Sequence, residues 1–167
     1  NPKSQYVKKY SNIFTDASIL NFKDDSIIKM NTNGEILFNK SVTEILIQNE
    51  IIDMNIFTWG DDPIHLNDIE PAFSDTEYWK KGDVFMSIRN QSAIIHYRPS
   101  TNKVINYITG PFLQQHDIDI ISDKEISIFN NNNIFEDNKF SEVVIYNFET
   151  KTFRKLFNDQ LQKKKFY

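Results

Sequence analysis

Residues 92–108 read SAIIHYRPSTNKVINYI, and this stretch decides the fold. An apolar segment begins at Ser92 and ends at Arg98, a polar turn follows at 99–102, and a second alternating segment begins at Lys103. β-branched and aromatic residues on both sides of a turn rich in Pro, Ser and Asn predict a β-hairpin. We therefore expect two antiparallel strands in this stretch.

The hairpin pattern occurs twice more along the chain. Residues 26–41 read SIIKMNTNGEILFNKS, with Gly34 where the turn needs a positive φ, and residues 141–157 read SEVVIYNFETKTFRKLF. Each copy begins with serine, continues through an aliphatic pair and turns at polar residues. We interpret this pattern as an internal repeat, which is the sequence signature of a repeat architecture.

The second and third copies predict a larger unit. In each, a strand begins at a histidine (His65 or His116), a second strand follows (83–89 or 125–129), and the hairpin completes the unit. Four antiparallel strands per ~50 residues are typical of a β-propeller blade. An insertion at 71–81 interrupts the second copy. Helix should be scarce, with residues 44–54 forming either a strand or a helix and residues after Asp159 at best a short turn.

The predicted fold class is all-β, a β-propeller fragment of about two complete four-stranded antiparallel blades plus part of a third. The whole chain, 1–167, forms one partial domain, with blade-like units at about 15–57, 63–109 and 114–158. A propeller needs about four to eight blades to close. We therefore expect the remaining blades, or another copy of the chain, to complete the ring.

Composition limits the classes of function. Apolar residues make up 40% of the chain and aromatic residues 14%, enough for a packed core. The net charge of −4 gives no electrostatic reason to expect nucleic acid or an anionic membrane surface as a partner. The chain has no cysteine, which excludes disulfides, thiolate metal sites and cysteine nucleophiles. No apolar run approaches the ~20 residues of a membrane-spanning helix.

Two histidines and one arginine are the candidate catalytic residues. His65 opens the phrase HLNDI and His116 opens the similar phrase HDIDI, while Arg89 ends an apolar strand. If both histidines begin the innermost strands of successive blades, they meet at one end of the central channel, and Arg89 returns to the same end. A guanidinium beside two imidazoles forms an anion site, in which neutral histidine can act as nucleophile or as general acid–base.

Other roles remain open for the neighbouring polar residues. Two histidines and an aspartate could bind zinc. The spacing suggests no further ligand, however, and the nearby arginine favours an anion. Asp68 and Asp119 could cap a turn or hold a histidine tautomer, and we favour a structural role for both. His96 has no equivalent in the other copies, so we interpret it as structural or exposed.

Four phrases together resemble a known family: WGDDPIHLNDIE at 59–70, GDVFMSIRNQSAII at 82–95, GPFLQQHDIDI at 110–120 and ISIFNN at 126–131. They are similar, in order and spacing, to the arylsulfotransferases of bacteria and archaea. The resemblance implies a six-bladed propeller that moves a sulfuryl group from an aryl sulfate to a phenol without a nucleotide sulfate donor. It also implies a periplasmic or secreted protein.

The resemblance implies a role for each candidate residue. His116 would be the nucleophile that becomes transiently sulfated, with His65 and Arg89 as its catalytic partners. Substrate binding is assigned to Asn67, Asn90, Trp59 and Phe112, and no metal or other cofactor is expected. Trp59 and Phe112 could stack on the aryl group, and ordinary core packing is the alternative role for each of them. The partners are a small aryl sulfate donor and a phenolic acceptor. The alternative is a non-catalytic propeller, a binding or interaction module that retains the scaffold.

Overall fold

A computed structural model describes residues 23–51, 62–132 and 141–156. The chain forms two compact units, Asn1–His65 and Leu66–Tyr167, which are described separately. Trp59, positions 15–22 and 52–57 of the unit expected at 15–57, and the short turn expected after Asp159 lie outside the described residues. None of the helices in the described ranges is long and apolar enough to cross a membrane.

The first unit contains a β-hairpin followed by one short helix. Strands β1 (Ser26–Met30) and β2 (Ile36–Ser41) pair in antiparallel fashion, and α1 (Val42–Gln48) follows directly. The helix begins where the Ser41 hydroxyl accepts a hydrogen bond from the Glu44 backbone N–H at 3.0 Å, a standard N-cap. Residues 44–54, for which the sequence allowed either a strand or a helix, are therefore helical as far as Gln48.

The second unit consists of two four-stranded antiparallel sheets with consecutive strands adjacent. The first sheet contains β3 (Leu66–Pro71), β4 (Val84–Ile88), β5 (Ala93–Arg98) and β6 (Lys103–Thr109). The second contains β7 (His116–Ser122), β8 (Glu125–Asn130), β9 (Glu142–Asn147) and β10 (Thr152–Leu156). The first strands of the two sheets, β3 and β7, contact each other. The all-β class is confirmed, and the arrangement is compatible with a propeller fragment.

The two sheets share the same register near their first strands. Asp68 on β3 lies opposite Ser87 on β4, and Asp119 on β7 lies opposite Ser127 on β8. His65 and His116 each precede the corresponding aspartate by three residues in the sequence. The two histidine phrases thus lie at the starts of matching strand pairs.

An aromatic cluster forms the core of the second unit. Trp79, from the insertion between β3 and β4, is 1% exposed and contacts the edges of Phe85 and Phe148, with ring centroids 5.6 and 5.4 Å apart. Edge-to-face aromatic pairs stabilise a core beyond the area that they bury. The insertion is therefore part of the hydrophobic core, although Phe73 within it is 78% exposed.

His96 lies in this core and not on the surface. It is fully buried, stacks on Phe85 with ring centroids 4.6 Å apart, and lies 2.9 Å from the Asp83 carboxylate through Nε2. The Asn106 amide donates to Nδ1 at 3.0 Å, so the ring proton is on Nε2 and is donated to Asp83. Arg98 donates to both oxygens of the same carboxylate at 2.7 Å. The structural role expected of His96 is confirmed.

Candidate functional site

His116 is the first residue of β7 and lies opposite Phe129 on β8. It is half-buried, and its neighbours Gln114 and Asp117 have φ angles of 50° and 46°. Non-glycine residues in this left-handed region are uncommon and cost conformational energy, which the surrounding contacts must offset. The backbone around His116 is thus held in a defined, strained shape.

Gln115 anchors the residue just before His116. Its side chain is fully buried, and its backbone carbonyl accepts a hydrogen bond from the Asn67 side-chain amide of β3 at 2.9 Å. The Gln115 side-chain amide in turn donates to the Ser87 hydroxyl of β4 at 3.1 Å. These bonds join the start of β7 to the neighbouring sheet.

Asp68 forms a second anchor on the other side of His116. Its carboxylate accepts a hydrogen bond from the Ile118 backbone N–H at 2.7 Å. Bonds from a backbone N–H to a charged acceptor are stronger than neutral ones. The structural role expected of Asp68 is confirmed, and its partner lies in the adjacent sheet.

Arg89 brings positive charge to the same region. It begins the short 3₁₀ turn Arg89–Gln91 between β4 and β5, and its guanidinium donates to the side-chain oxygens of Asn90 at 2.8 Å and Gln114 at 3.2 Å. Both acceptors are neutral amides. Within the described ranges, no carboxylate forms an ion pair with Arg89. An arginine with only neutral partners keeps its charge available for an anion.

The first strands of the two sheets also carry a group of carboxylates. Burial raises the pKa of Glu70 on β3, a backbone hydrogen bond from Ile120 opposes this, and the neighbouring carboxylates of Asp119, Asp68 and Asp117 raise it further. Asp117 directly follows His116 in the chain and Asp68 bonds to Ile118, so these carboxylates extend to the start of β7.

His65 belongs to the first compact unit and directly precedes β3 in the chain. Its φ is 51°, its side chain is 38% exposed, and Nδ1 lies 2.6 Å from the Asp62 carboxylate. A carboxylate on one ring nitrogen fixes the tautomer and leaves the other nitrogen for proton transfer or hydrogen bonding. The convergence of His65 with His116 and Arg89 stays a prediction.

The residues assigned to substrate binding have other contacts in the structure. Asn67 and Asn90 hold Gln115 and Arg89, as described above. Phe112 is 1% exposed and packs in the core, with its ring centroid 6.1 Å from that of Phe153. The sequence also allowed this packing role for Phe112.

Sequence reasoning missed the glutamines Gln114 and Gln115 and the histidine partner Asp62. Glutamine is mostly exposed in proteins, so its type alone gave no reason to place it in the core. The available signal was position, because both glutamines immediately precede His116 and Asp62 precedes His65 by three residues. In the part of the chain that the structure describes, no group of three or more His, Cys, Asp or Glu side chains could hold a metal ion.

Comparisons with known proteins point to one family. No curated protein and no solved structure matches the chain. Residues 7–166 match the family model described as Arylsulfotransferase (ASST), which covers nearly the whole sequence.

Proposed function

Because the chain belongs to the arylsulfotransferase family, we propose that it transfers a sulfuryl group from an aryl sulfate to a phenol through a sulfohistidine on His116. The family supports the general reaction class. The residue roles and the covalent intermediate are our proposal. Arg89 and His65 are the proposed catalytic partners of His116.

The reaction proceeds in two displacements. An imidazole nitrogen of neutral His116 attacks sulfur, a nitrogen–sulfur bond forms, and the aryl oxygen–sulfur bond breaks with its electron pair on the departing phenolate. The oxygen of the acceptor phenol then attacks the same sulfur, the nitrogen–sulfur bond breaks, and its electron pair returns to His116. The acceptor's proton passes to solvent or to the departed phenolate, so no cofactor, oxidant or reductant is consumed.

The observation that carries this proposal is the position of Arg89. Its guanidinium contacts Gln114, two residues before His116, and is balanced only by neutral amides among the described residues. The transferring sulfuryl group carries negative charge on its oxygens. A preorganised donor aimed at such charge contributes ~10²–10³ in rate.

His65 would act as a general base. Its Nδ1 donates to the Asp62 carboxylate, so in the neutral ring Nε2 carries the lone pair and can take the proton of the acceptor phenol. This role requires that His65 reaches the same end of the channel as His116. A His65→Gln variant tests it, and we expect a lower rate with His116 sulfation still detectable.

The test uses the full-length protein, p-nitrophenyl sulfate as donor and phenol as acceptor. We expect nitrophenol release by the wild type, and a mass increase of one SO₃ group on the peptide that contains His116 when the acceptor is omitted. His116→Ala should lose both signals. Equal rates for wild type and His116→Ala would disprove the assignment of the nucleophile.

An arginine pair provides a matched control. Arg89→Gln should lower the rate by ~10²-fold or more. Arg154→Gln changes a half-exposed arginine of β10 that pairs with Glu125 of β8, and it should leave the rate unchanged. If the wild type binds aryl sulfate without turnover or adduct, the protein is the non-catalytic binding module instead. We also propose a periplasmic or secreted location, which cell fractionation tests.

A further inference from the structure

We propose that Gln115 is a positioning residue that sets the distance and orientation between His116 and Arg89. This inference rests on the proposed function, because it concerns how the nucleophile and the anion-binding group are held together. Gln115 acts through its neighbours and does not touch the substrate.

The side-chain amide of Gln115 holds both ends of the segment that carries Arg89. Its Nε2 lies 3.3 Å from the carbonyl oxygen of Ile88 and 3.0 Å from that of Ala93. Ile88 directly precedes the 3₁₀ turn, and Ala93 follows the turn after Ser92. One buried amide therefore fixes the start and the end of the turn relative to the residue before His116.

The backbone of Gln115 is fixed as well. Its carbonyl oxygen accepts hydrogen bonds from the Asn67 amide at 2.9 Å and from the Ser87 hydroxyl at 3.4 Å. On the other side of His116, the Ile118 N–H is held by Asp68. The nucleophile thus lies between two anchored residues, which explains how the positive φ angles at 114 and 117 are maintained.

Gln114 completes the arrangement. Its side chain is 9% exposed, and its oxygen accepts the Arg89 Nη2 hydrogen bond at 3.2 Å. Its backbone N–H donates to the Ser92 hydroxyl at 3.2 Å. The two consecutive glutamines thus contact the Arg89 side chain and the backbone on either side of it.

Stability alone is a poor explanation for a glutamine at this position. The Gln115 side chain is fully buried, and its Oε1 has no hydrogen-bond partner among the residues that the structure describes. A buried acceptor without a donor destabilises the folded state, and an apolar side chain of the same volume would avoid that cost. What the glutamine adds is a set of directional bonds to the Arg89 turn.

The test compares Gln115→Met with Gln48→Met in the full-length protein. Methionine has a similar volume but no N–H donor, and Gln48 is an exposed glutamine at the end of α1. We expect Gln115→Met to lower kcat by ~100-fold per folded molecule, because misplacing a reacting group by about an ångström costs that much. The KM for the aryl sulfate should stay within about twofold of wild type, since Arg89 is retained. Gln48→Met should leave both constants unchanged.

Hydrogen exchange gives a readout that is independent of turnover. In Gln115→Met, the amides of 116–118 and of the Arg89 turn should exchange at least ~10-fold faster, while those of β9 and β10 keep the wild-type rate. If the wild type shows no sulfuryl transfer, the proposed function fails, and the exchange pattern still decides whether Gln115 anchors this segment.

Two outcomes would overturn the proposal: an unchanged kcat in Gln115→Met, or uniformly faster exchange across both sheets, which indicates a general loss of stability. If Gln115→Met does not fold, Ser87→Ala replaces it, because this change removes one acceptor of the Gln115 amide and leaves the two carbonyl acceptors. For Ser87→Ala we expect a smaller decrease in kcat and a smaller local increase in hydrogen exchange. A wild-type kcat would count against the proposal.

Discussion

The substitution Asp83→Asn should expose the energetic role of the buried ion pair behind the aromatic core. Asp83 is 1% exposed and accepts hydrogen bonds from Arg98, His96 and the Lys80 backbone N–H. Asparagine has nearly the same shape but no charge, and its amide group would face a donor in at least one of these positions. The change therefore removes the charge and some of the hydrogen bonds without leaving a cavity.

The size of the effect follows from the ionisation of Asp83. Burial alone would raise the pKa of this carboxyl, but the hydrogen bonds from Arg98, Lys80 and His96 outweigh it and lower the pKa from 3.8 to about 2. One pKa unit corresponds to ~1.4 kcal/mol, so ionised Asp83 stabilises the folded state by ~2–3 kcal/mol near neutral pH. Leaving the Arg98 charge without its partner adds to the loss, and we expect ~3 kcal/mol in total for Asp83→Asn at pH 7.

The contribution of Asp83 to the free energy of unfolding depends on pH in a defined direction. Because the folded-state pKa of Asp83 lies below the unfolded value, its contribution is complete above about pH 4 and is lost as the pH falls towards 2. Burial also lowers the pKa of His96, although Asp83 partly opposes this shift. As the pH falls below ~6.5, His96 therefore takes up a proton in the unfolded state before it does so in the folded state, which lowers the free energy of unfolding. Both groups therefore make the wild type less stable in acid.

Urea unfolding followed by tryptophan fluorescence measures the effect, since Trp79 lies in the adjacent core. The wild type should lose stability between pH 4 and pH 2.5, and Asp83→Asn should lack that step. Asp123→Asn, in the exposed turn between β7 and β8, is the control and should match the wild type. A difference below ~1 kcal/mol at pH 7, or one that persists unchanged at pH 2.5, would refute the reasoning.

Three further changes test other contacts. Arg89→Lys should lower kcat/KM by ~10-fold or more, because lysine cannot contact the Asn90 and Gln114 oxygens with one planar group; wild-type initial rates would contradict this. Gly110→Ala places a methyl group against the Phe153 ring and should lower stability by ~1–3 kcal/mol in thermal unfolding, and an unchanged melting temperature would argue against that contact. Asp68→Asn replaces a charged acceptor by a neutral one, so the Ile118 amide should exchange ~10-fold faster, whereas equal exchange would mean that the bond adds no protection.

The hairpins could be predicted from sequence because their signals are local. In residues 26–41 the turn is set by Asn31, whose side-chain oxygen accepts the backbone N–H groups of Asn33 and Glu35, and by Gly34 at a φ of 82°. Alternation of apolar residues then sets the flanking strands. Such patterns need no knowledge of distant parts of the chain.

The helix α1 was also predictable in principle. The sequence Ser41-Val-Thr-Glu44 is a capping box, with serine and glutamate three residues apart. Ile45, Leu46 and Ile47 alone suit a strand as well as a helix, so only the cap decides between them. The structure confirms the Ser41 part of that cap.

The site was predictable only in part. Arg89 and His116 stood out because charged or titratable groups beside apolar strands are costly unless they have a role. The contacts that place them were invisible, since Gln115 reaches Ser87 and Ala93, which are 28 and 22 residues away in the chain. The role of His96 depended likewise on Asp83, which is 13 residues away. Which distant residue a buried amide or imidazole meets is decided by strand packing and not by local pattern.

The anchor between β3 and β7 has a consequence for the order of folding. The bond from Asp68 to Ile118 and the bond from Asn67 to Gln115 join residues 50 and 48 positions apart. Contacts of such long sequence separation form late, because the loop entropy must be lost before they contribute. During synthesis the first sheet can therefore form its strand pairs while His116 still has no defined position. The two anchors can close only after β7 has emerged and packed against β3, so the backbone around His116 takes its final shape later than the strand pairs of the first sheet.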